Sequence, residues 1–291
     1  MNVAAVEDLL VRCRFPSPGS AAVCAVSGGA DSLALLVLAC AAGCDVTAVH
    51  IDHGLRLHSA AEADVVASAA TRFGARFEAR RAGVTPGPNV EARARAARYR
   101  VLPPDVLTGH TADDQAETVL LNLIRGAGLD GLRGMPVERR PLIALRRAET
   151  RALCRTLRLE PVNDPMNDDP SLRRNRVRHE LLPLLDTIAA RDVVPVIARQ
   201  AELLSDDAAL LDALSDAIDP TDVKALRSAP LPLARRAVRA WLRCGSDAEH
   251  HPPDAATVER VLSVARGEAK GCDVGGGRRV VRSRGRLTIT P

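Results

Sequence analysis

Aromatic side chains are nearly missing from this chain. One Trp, one Tyr and three Phe make up 2% of 291 residues. That scarcity excludes the rows of stacking rings on which single-strand-binding proteins lay bases. Lysine occurs only as Lys224 and Lys270, and every other basic residue is arginine. Genome composition alone accounts for such a bias, although arginine suits phosphate and base contacts. No hydrophobic run approaches a membrane span, and the N-terminus lacks the basic-then-apolar layout of a secretion signal. A cytoplasmic protein without a membrane partner is expected. The seven cysteines are odd in number and scattered, with no C-x-x-C. A disulfide framework, a zinc site and an iron–sulfur site are therefore all disfavoured, and the thiols read as small buried hydrophobes. Hydrophobic content is 46%, enough for a real core, and the length suits one large or two moderate domains.

The most informative stretch lies early. Residues 22–26 are small, apolar and rich in β-branched types, and read as a buried strand; residues 33–39 read as a buried helix. Between them stands Ser27-Gly28-Gly29-Ala30-Asp31-Ser32. Adjacent glycines permit positive φ and let an anion approach the backbone. Loop N–H groups and the helix N-terminus then form a concave phosphate cradle, to which Ser27 and Ser32 add hydroxyl donors. Asp31 is out of place in a plain anion site, and signals either a bridging Mg²⁺ or a helix cap. The G-x-x-x-x-G-K-S/T spacing of the Walker loop is absent. The six-residue pattern resembles instead the pyrophosphate loop of the N-type ATP pyrophosphatases, which split ATP into AMP and pyrophosphate.

The pattern then alternates: strand 45–52, helix 59–73, strand 75–80, helix 90–100, strand 105–110. Strand, helix, strand is the parallel crossover unit, so an α/β fold with a parallel Rossmann-like sheet and flanking helices is expected. A short strand at 141–143, a helix at 147–157 and a basic helix from Ser171 to Pro183 follow. Amphipathic helices fill 186–215, and Asp219-Pro220 reads as a boundary. The tail holds helices at 231–243 and 254–266, then a glycine turn at 275–277 and an arginine-rich hairpin at 278–282 and 287–290. The expected division is a catalytic domain at 1–185, a helical linker at 186–218 and a small α+β domain at 219–291.

Polar residues collect where parallel strands end, which is where ligands sit in open α/β sheets. His50 and Asp52 close the second strand, within His50-Ile51-Asp52-His53-Gly54-Leu55-Arg56. Arg95 and Arg98 share a helix face that is either solvated or turned to a nucleotide. After the fourth strand, His110, Asp113, Asp114 and Glu117 crowd a helix start, with Asp114 and Glu117 on one side. The helix dipole favours acids there, but three acids and a histidine exceed what capping needs; they suit Mg²⁺ or a substrate ammonium. Arg174, Arg176 and Arg178 are too dense for ordinary pairing with acids four residues away. They point to RNA phosphates or an active-site nucleotide.

Taken together these motifs resemble the tRNA(Ile)-lysidine synthetase family. The matches are the 27–32 loop, residues 50–56, 91–99 and 109–132, Asp164-Pro165-Met166-Asn167, and Arg174-Asn175-Arg176-Val177-Arg178-His179. They are strong over about residues 20–185 and weaker in the tail. The resemblance implies ATP as co-substrate with Mg²⁺, and as partners free L-lysine and the isoleucine tRNA with CAU anticodon, with a homodimer as the family's common state. It implies that Ser27, Gly28, Gly29, Ala30, Asp31, Ser32, His50, Asp52, Arg95 and Arg98 bind ATP. Asp31 and Asp113 would hold Mg²⁺, and Asp114 and Glu117 would bind lysine and, with Asp31, be catalytic. Arg174, Arg176 and Arg178 would contact tRNA or phosphate, as would the small C-terminal domain. The rivals are a tRNA sulfurtransferase of the same superfamily, against which the missing C-x-x-C counts, and a non-catalytic ATP-binding module.

Overall fold

The computed structural model describes residues 3–52, 59–83, 93, 97, 100–162, 169–244 and 253–291. They form two compact units, Met1–Leu203 and Leu204–Pro291. Among the described residues no helix is long and apolar enough to cross a membrane.

The first unit is built on a parallel sheet of order β3-β2-β1-β4, comprising β1 (Ala21–Ala25), β2 (Asp45–Asp52), β3 (Arg76–Arg81) and β4 (Leu107–Thr108). Ala21 pairs with Asp45 and Ala25 with Val49, while Cys24 and Ala25 pair on the other side with Leu107 and Thr108. After its first turn the helix Ala30–Ala41 is apolar all round, and Leu33, Leu35, Leu36 and Leu38 have no exposed surface. A helix of that kind belongs in a core. Burying each leucine contributes about 1.5–3 kcal/mol, so the loop that precedes the helix is anchored on a well-packed element.

Three expectations needed correction. The strand expected at 105–110 is only two residues long. Val106 N–H bonds the Pro103 carbonyl in a turn, and the backbone at Gly109 then passes against the loop. A Cβ at Gly109 would lie 2.6 Å from the Asp31 carbonyl oxygen, so the chain leaves the sheet there and only glycine fits. The strand expected at 141–143 is a buried turn. Arg140 N–H bonds Val137 O at 2.9 Å and Ile143 N–H bonds Arg140 O at 3.1 Å. Pro141 has no N–H to give a ladder, and fully buried Leu142 and Leu145 explain the apolar run.

The basic helix is also not continuous. Arg173–Arg176 is α-helical, Val177–Leu181 is a π-helical turn, and Leu182–Ala189 resumes the α-helix. Pro183 cannot donate to a carbonyl four residues back, and Leu182 N–H instead reaches Val177 O five residues back.

In the second unit the helices Val223–Ser228, Leu231–Cys244 and Ala255–Arg266 share a core with an antiparallel sheet β5-β6-β7 (Gly271–Gly275, Arg278–Ser283, Arg286–Thr290). Val238, Val261, Val280 and Leu287 are at its centre. The hairpin is where the spacing predicts it, and β5 is an additional strand. Its sequence, Gly271-Cys272-Asp273-Val274-Gly275, has weak β propensity; its register shifts between Asp273 and Gly275.

Candidate active site

The loop joining β1 to its helix has the form the sequence predicts. Gly28 takes φ +88°, a left-handed value that favours glycine, and its carbonyl accepts a 3.0 Å bond from Val162 N–H. Gly29 caps the helix with extended backbone. Ser32 Oγ accepts from Ser27 N–H at 3.1 Å and donates to Gly29 O at 2.8 Å. One hydroxyl thus closes the loop on itself. His50 is buried at the end of β2, its Nδ1 3.0 Å from Val26 O and its Nε2 buried without a hydrogen-bond partner among the described residues. Asp52 ends the same strand, with Arg81 Nε 3.8 Å away. The loop, His50 and Asp52 therefore lie at the C-terminal ends of neighbouring parallel strands, as an open α/β site requires. Arg95 and Arg98, with residues 53–56 and 164–167, lie outside the described residues.

The acidic stretch forms the helix Ala112–Ile124, capped by Thr111. Asp114 Oδ2 accepts from Thr111 N–H at 2.9 Å and from its hydroxyl at 3.0 Å. That is the capping role the dipole argument allows. Its other oxygen does something else: Asp114 Oδ1 takes Arg147 Nη2 at 2.8 Å. Glu117, three residues on, has no exposed side-chain surface. It accepts from Arg147 Nη1 at 3.0 Å and from Arg178 Nε and Nη2 at 2.7 and 3.1 Å, with Arg174 Nε 3.7 Å away. Asp31 completes the group: Thr150 Oγ donates to it, and Arg147 Nε lies 3.5 Å away. A single guanidinium thus faces three carboxylates.

The electrostatics differ between these acids. Burial pushes the Asp31 carboxyl above its ordinary value, and the Thr150 bond and Arg147 oppose this only in part. Burial also pushes Asp114 up, but the charges of Arg147 and His110 and the Thr111 N–H outweigh it and hold the carboxyl low. Arg147 is driven up by its acids despite burial, and so stays charged.

Two expected site residues lie apart from the three-acid group. Asp113 faces away from the three-acid group: Arg146 Nε and Nη2 bond it at 3.0 and 3.1 Å, and Arg147 N–H adds a third bond at 2.8 Å. Arg146 also pairs with Asp192. Its contacts are to Arg146 and the Arg147 N–H, with none to the glycine loop among the described residues, so Asp113 is not placed to hold a Mg²⁺ there. Among the described residues no three His, Cys, Asp or Glu side chains converge as a metal group. A bound Mg²⁺ usually takes only one or two carboxylates and completes its shell with water and phosphate oxygens. Asp31, beside the loop and partly exposed, fits that part alone. Arg176, expected at a phosphate, forms an exposed pair with Glu180 four residues on, at 2.8 Å. Arg176 thus makes the pairing four residues away that the density argument disfavours, whereas Arg174 and Arg178 turn inward to Glu117.

Sequence reading missed Arg147 and Thr150. Both sit on the helix Arg147–Thr156, which has Arg146 as N-cap. A signal was available: two arginines at a helix start oppose the helix dipole, so something other than local helix energetics holds them there.

Residues 4–185 match the family model described as a PP-loop domain, and residues 222–288 match the TilS substrate binding domain. The chain is 42% identical over 297 residues to a tRNA(Ile)-lysidine synthase of Nocardia farcinica, covering 94% of this chain and 93% of the relative. It is 40% identical over 294 residues to the tRNA(Ile)-lysidine synthase of Rhodococcus erythropolis, covering 94% and 90%. In architecture it is similar to a U34-tRNA thiolase of Methanococcus maripaludis, with a TM-score of 0.54 at 18% identity over 70% of this chain and 78% of that one. That likeness concerns the fold alone. Matched by both domain models and by relatives across nearly its whole length, the chain belongs to the tRNA(Ile)-lysidine synthase family.

Proposed function

We propose that this chain joins free lysine to C2 of the wobble cytidine of the CAU-anticodon isoleucine tRNA, converting ATP to AMP and pyrophosphate. The observation that carries the reading is the cluster of Asp31, Asp114 and Glu117 on Arg147, beside a glycine loop shaped for phosphate. The cytidine O2 attacks the α-phosphorus; an O–P bond forms and pyrophosphate leaves. The lysine ε-amine then attacks C2, the C2–O2 bond breaks, and AMP leaves with the oxygen. A base oxygen is a poor leaving group until adenylation makes it a good one, and an unpaired anticodon base is cheaply splayed into a pocket.

Residue roles follow from placement. N–H groups of the 27–32 loop, with the Ser27 hydroxyl, would take the charge that grows on the departing pyrophosphate. The unpaired Nε2 of His50 supports a ligand group at the end of β2. Asp31 would hold Mg²⁺, which would supply charge neutralisation for the phosphates. Asp114 and Glu117 would receive the lysine amine, and a carboxylate would take its proton. The amine meets Asp114 first, since its side chain is 12% exposed and that of Glu117 is 0%. Arg174, Arg178 and the 219–291 region would contact phosphates, of the nucleotide or of tRNA. Catalysis within 1–185 and pairing of two copies belong to the same proposal.

The thiol beside the loop does not support a sulfur relay. Cys154 Sγ lies 3.5 Å from the Ala30 carbonyl, next to the loop, and burial pushes its pKa up to about 11. Such a thiol is protonated at neutral pH and a poor nucleophile. Incubation with ATP, labelled lysine and the isoleucine tRNA transcript tests the reading. Label on tRNA, with AMP and pyrophosphate formed in equal amount, is expected. Pyrophosphate release that ignores both tRNA and lysine would overturn it.

A further inference from the structure

Arg147 lies on a segment that supplies neither the glycine loop nor the acidic helix, yet it touches acids from both. Each nitrogen of its guanidinium faces a different carboxylate: Nη2 meets Asp114 at 2.8 Å, Nη1 meets Glu117 at 3.0 Å and Nε lies 3.5 Å from Asp31. Arg178 also bonds Glu117, and Arg174 approaches it while donating to Thr118 at 3.1 Å. Among the described residues neither reaches Asp31 or Asp114 at salt-bridge distance. Among the described residues Arg147 alone bridges the loop acid to the helix acids.

We propose that Arg147 is a positioning residue of the ligation: its planar fork fixes Asp114 and Glu117 to receive the lysine amine and ties them to Asp31 on the nucleotide side. The inference rests on the function proposed above. Three carboxylates clustered this closely would repel one another and move apart if left alone. A guanidinium holds them in one plane with donors at fixed angles, which an ammonium on a flexible stem cannot do. The segment carrying Arg147 is itself held in place. Arg147 N–H bonds Asp113 at 2.8 Å, Thr150 Oγ bonds Asp31, and Leu153 and Cys154 are in the core of the unit. At the first position of its helix the cation gains nothing from the dipole. Its place is explained by the acids it holds. The two short contacts are to Asp114 and Glu117, and Asp31 keeps Thr150 as a second anchor. Loss of the fork should therefore weaken lysine binding more than ATP binding.

The test uses the full chain with ATP, lysine and the isoleucine tRNA transcript. Arg147→Lys keeps the charge but not the three-way geometry. It should melt near the wild-type temperature, raise KM for lysine by about tenfold or more, and leave KM for ATP within about threefold, the scale of losing a charge-assisted bidentate contact. Arg147→Gln should raise lysine KM further; if it fails to fold, Arg147→Lys still decides the matter. Thr150→Val should do the reverse, moving KM for ATP more than KM for lysine. An Arg147→Lys enzyme with wild-type lysine KM overturns the inference. So does a fall in kcat alone with both KM values unchanged, which marks a scaffold residue. Wild-type protein that transfers no lysine would instead overturn the function reading, and this inference with it.

Discussion

Glu117 in the first unit has no exposed surface and is surrounded by Arg147, Arg174 and Arg178. In the second unit Arg235, Arg266 and Arg286 meet Glu259, Glu268 and Asp219 with every partner more than a third exposed. The two arrangements have different physics. Exposed pairs contribute about 0–1 kcal/mol and need no special explanation. Burying charge is expensive, and a buried cluster rarely stabilises more than an apolar core of the same volume would. The second unit accordingly draws its stability from Val238, Val261, Val280 and Leu287. The first has an apolar core of its own around Leu33, Leu35 and Leu36, and so does not need the charged cluster to fold. What the cluster supplies is a set of fixed charges beside a phosphate-shaped loop.

The contrast is open to attack at several points. Removing the central acid should have the largest effect. Glu117→Ala leaves three guanidiniums around an empty position; breaking such a buried group costs about 3–5 kcal/mol. Denaturant unfolding should register that loss together with failure of lysine transfer, and a neutral result would mean the cluster is incidental. Leu287→Ala is the counterpart in the second unit, with an expected loss of about 2–5 kcal/mol by the same measurement. Asp31→Asn should abolish tRNA-dependent pyrophosphate release, and unchanged release would remove Asp31 from the mechanism.

A smaller effect should appear with pH. Asp113 is held below its ordinary value: burial pushes it up, but the Arg146 pair and the Arg147 N–H prevail. Its stabilisation is therefore full above an unfolded pKa of about 3.9 and is lost as pH falls through the lowered folded value. Stability of Asp113→Asn should vary less than wild type across that acid window; parallel curves would mean the pair contributes nothing. Arg176→Ala should be mildest. If the exposed arginine meets tRNA, the salt dependence of binding falls by roughly 0.7–0.9 in log–log slope with lysine KM unchanged. An unaltered slope would assign Arg176 to its Glu180 partner alone.

Much of this was legible beforehand. The β1 strand, the Ser27–Ser32 loop and the following helix follow from local rules: an apolar run, two glycines, another apolar run. Asp114 and Glu117 could be placed on one helix side from a spacing of three. Asp113 and Asp114 were not separable that way, although one faces Arg146 and the other Arg147. Nor could Arg176 be told from Arg174 and Arg178, because the π-helical turn that follows depends on Pro183 and on packing of Val177 and Leu182 against the acidic helix.

The amino-acid order by itself determined the β1 strand, the phosphate loop, the helix after it and the acids that follow β4, since each depends on neighbours within a few residues. Tertiary structure alone decided which cations those acids meet. Asp31 and Arg147 are far apart along the chain and adjacent in space. An ion pair leaves no periodic trace in sequence, because its partners are selected by where packed elements bring charges together and by the cost of leaving any buried charge alone.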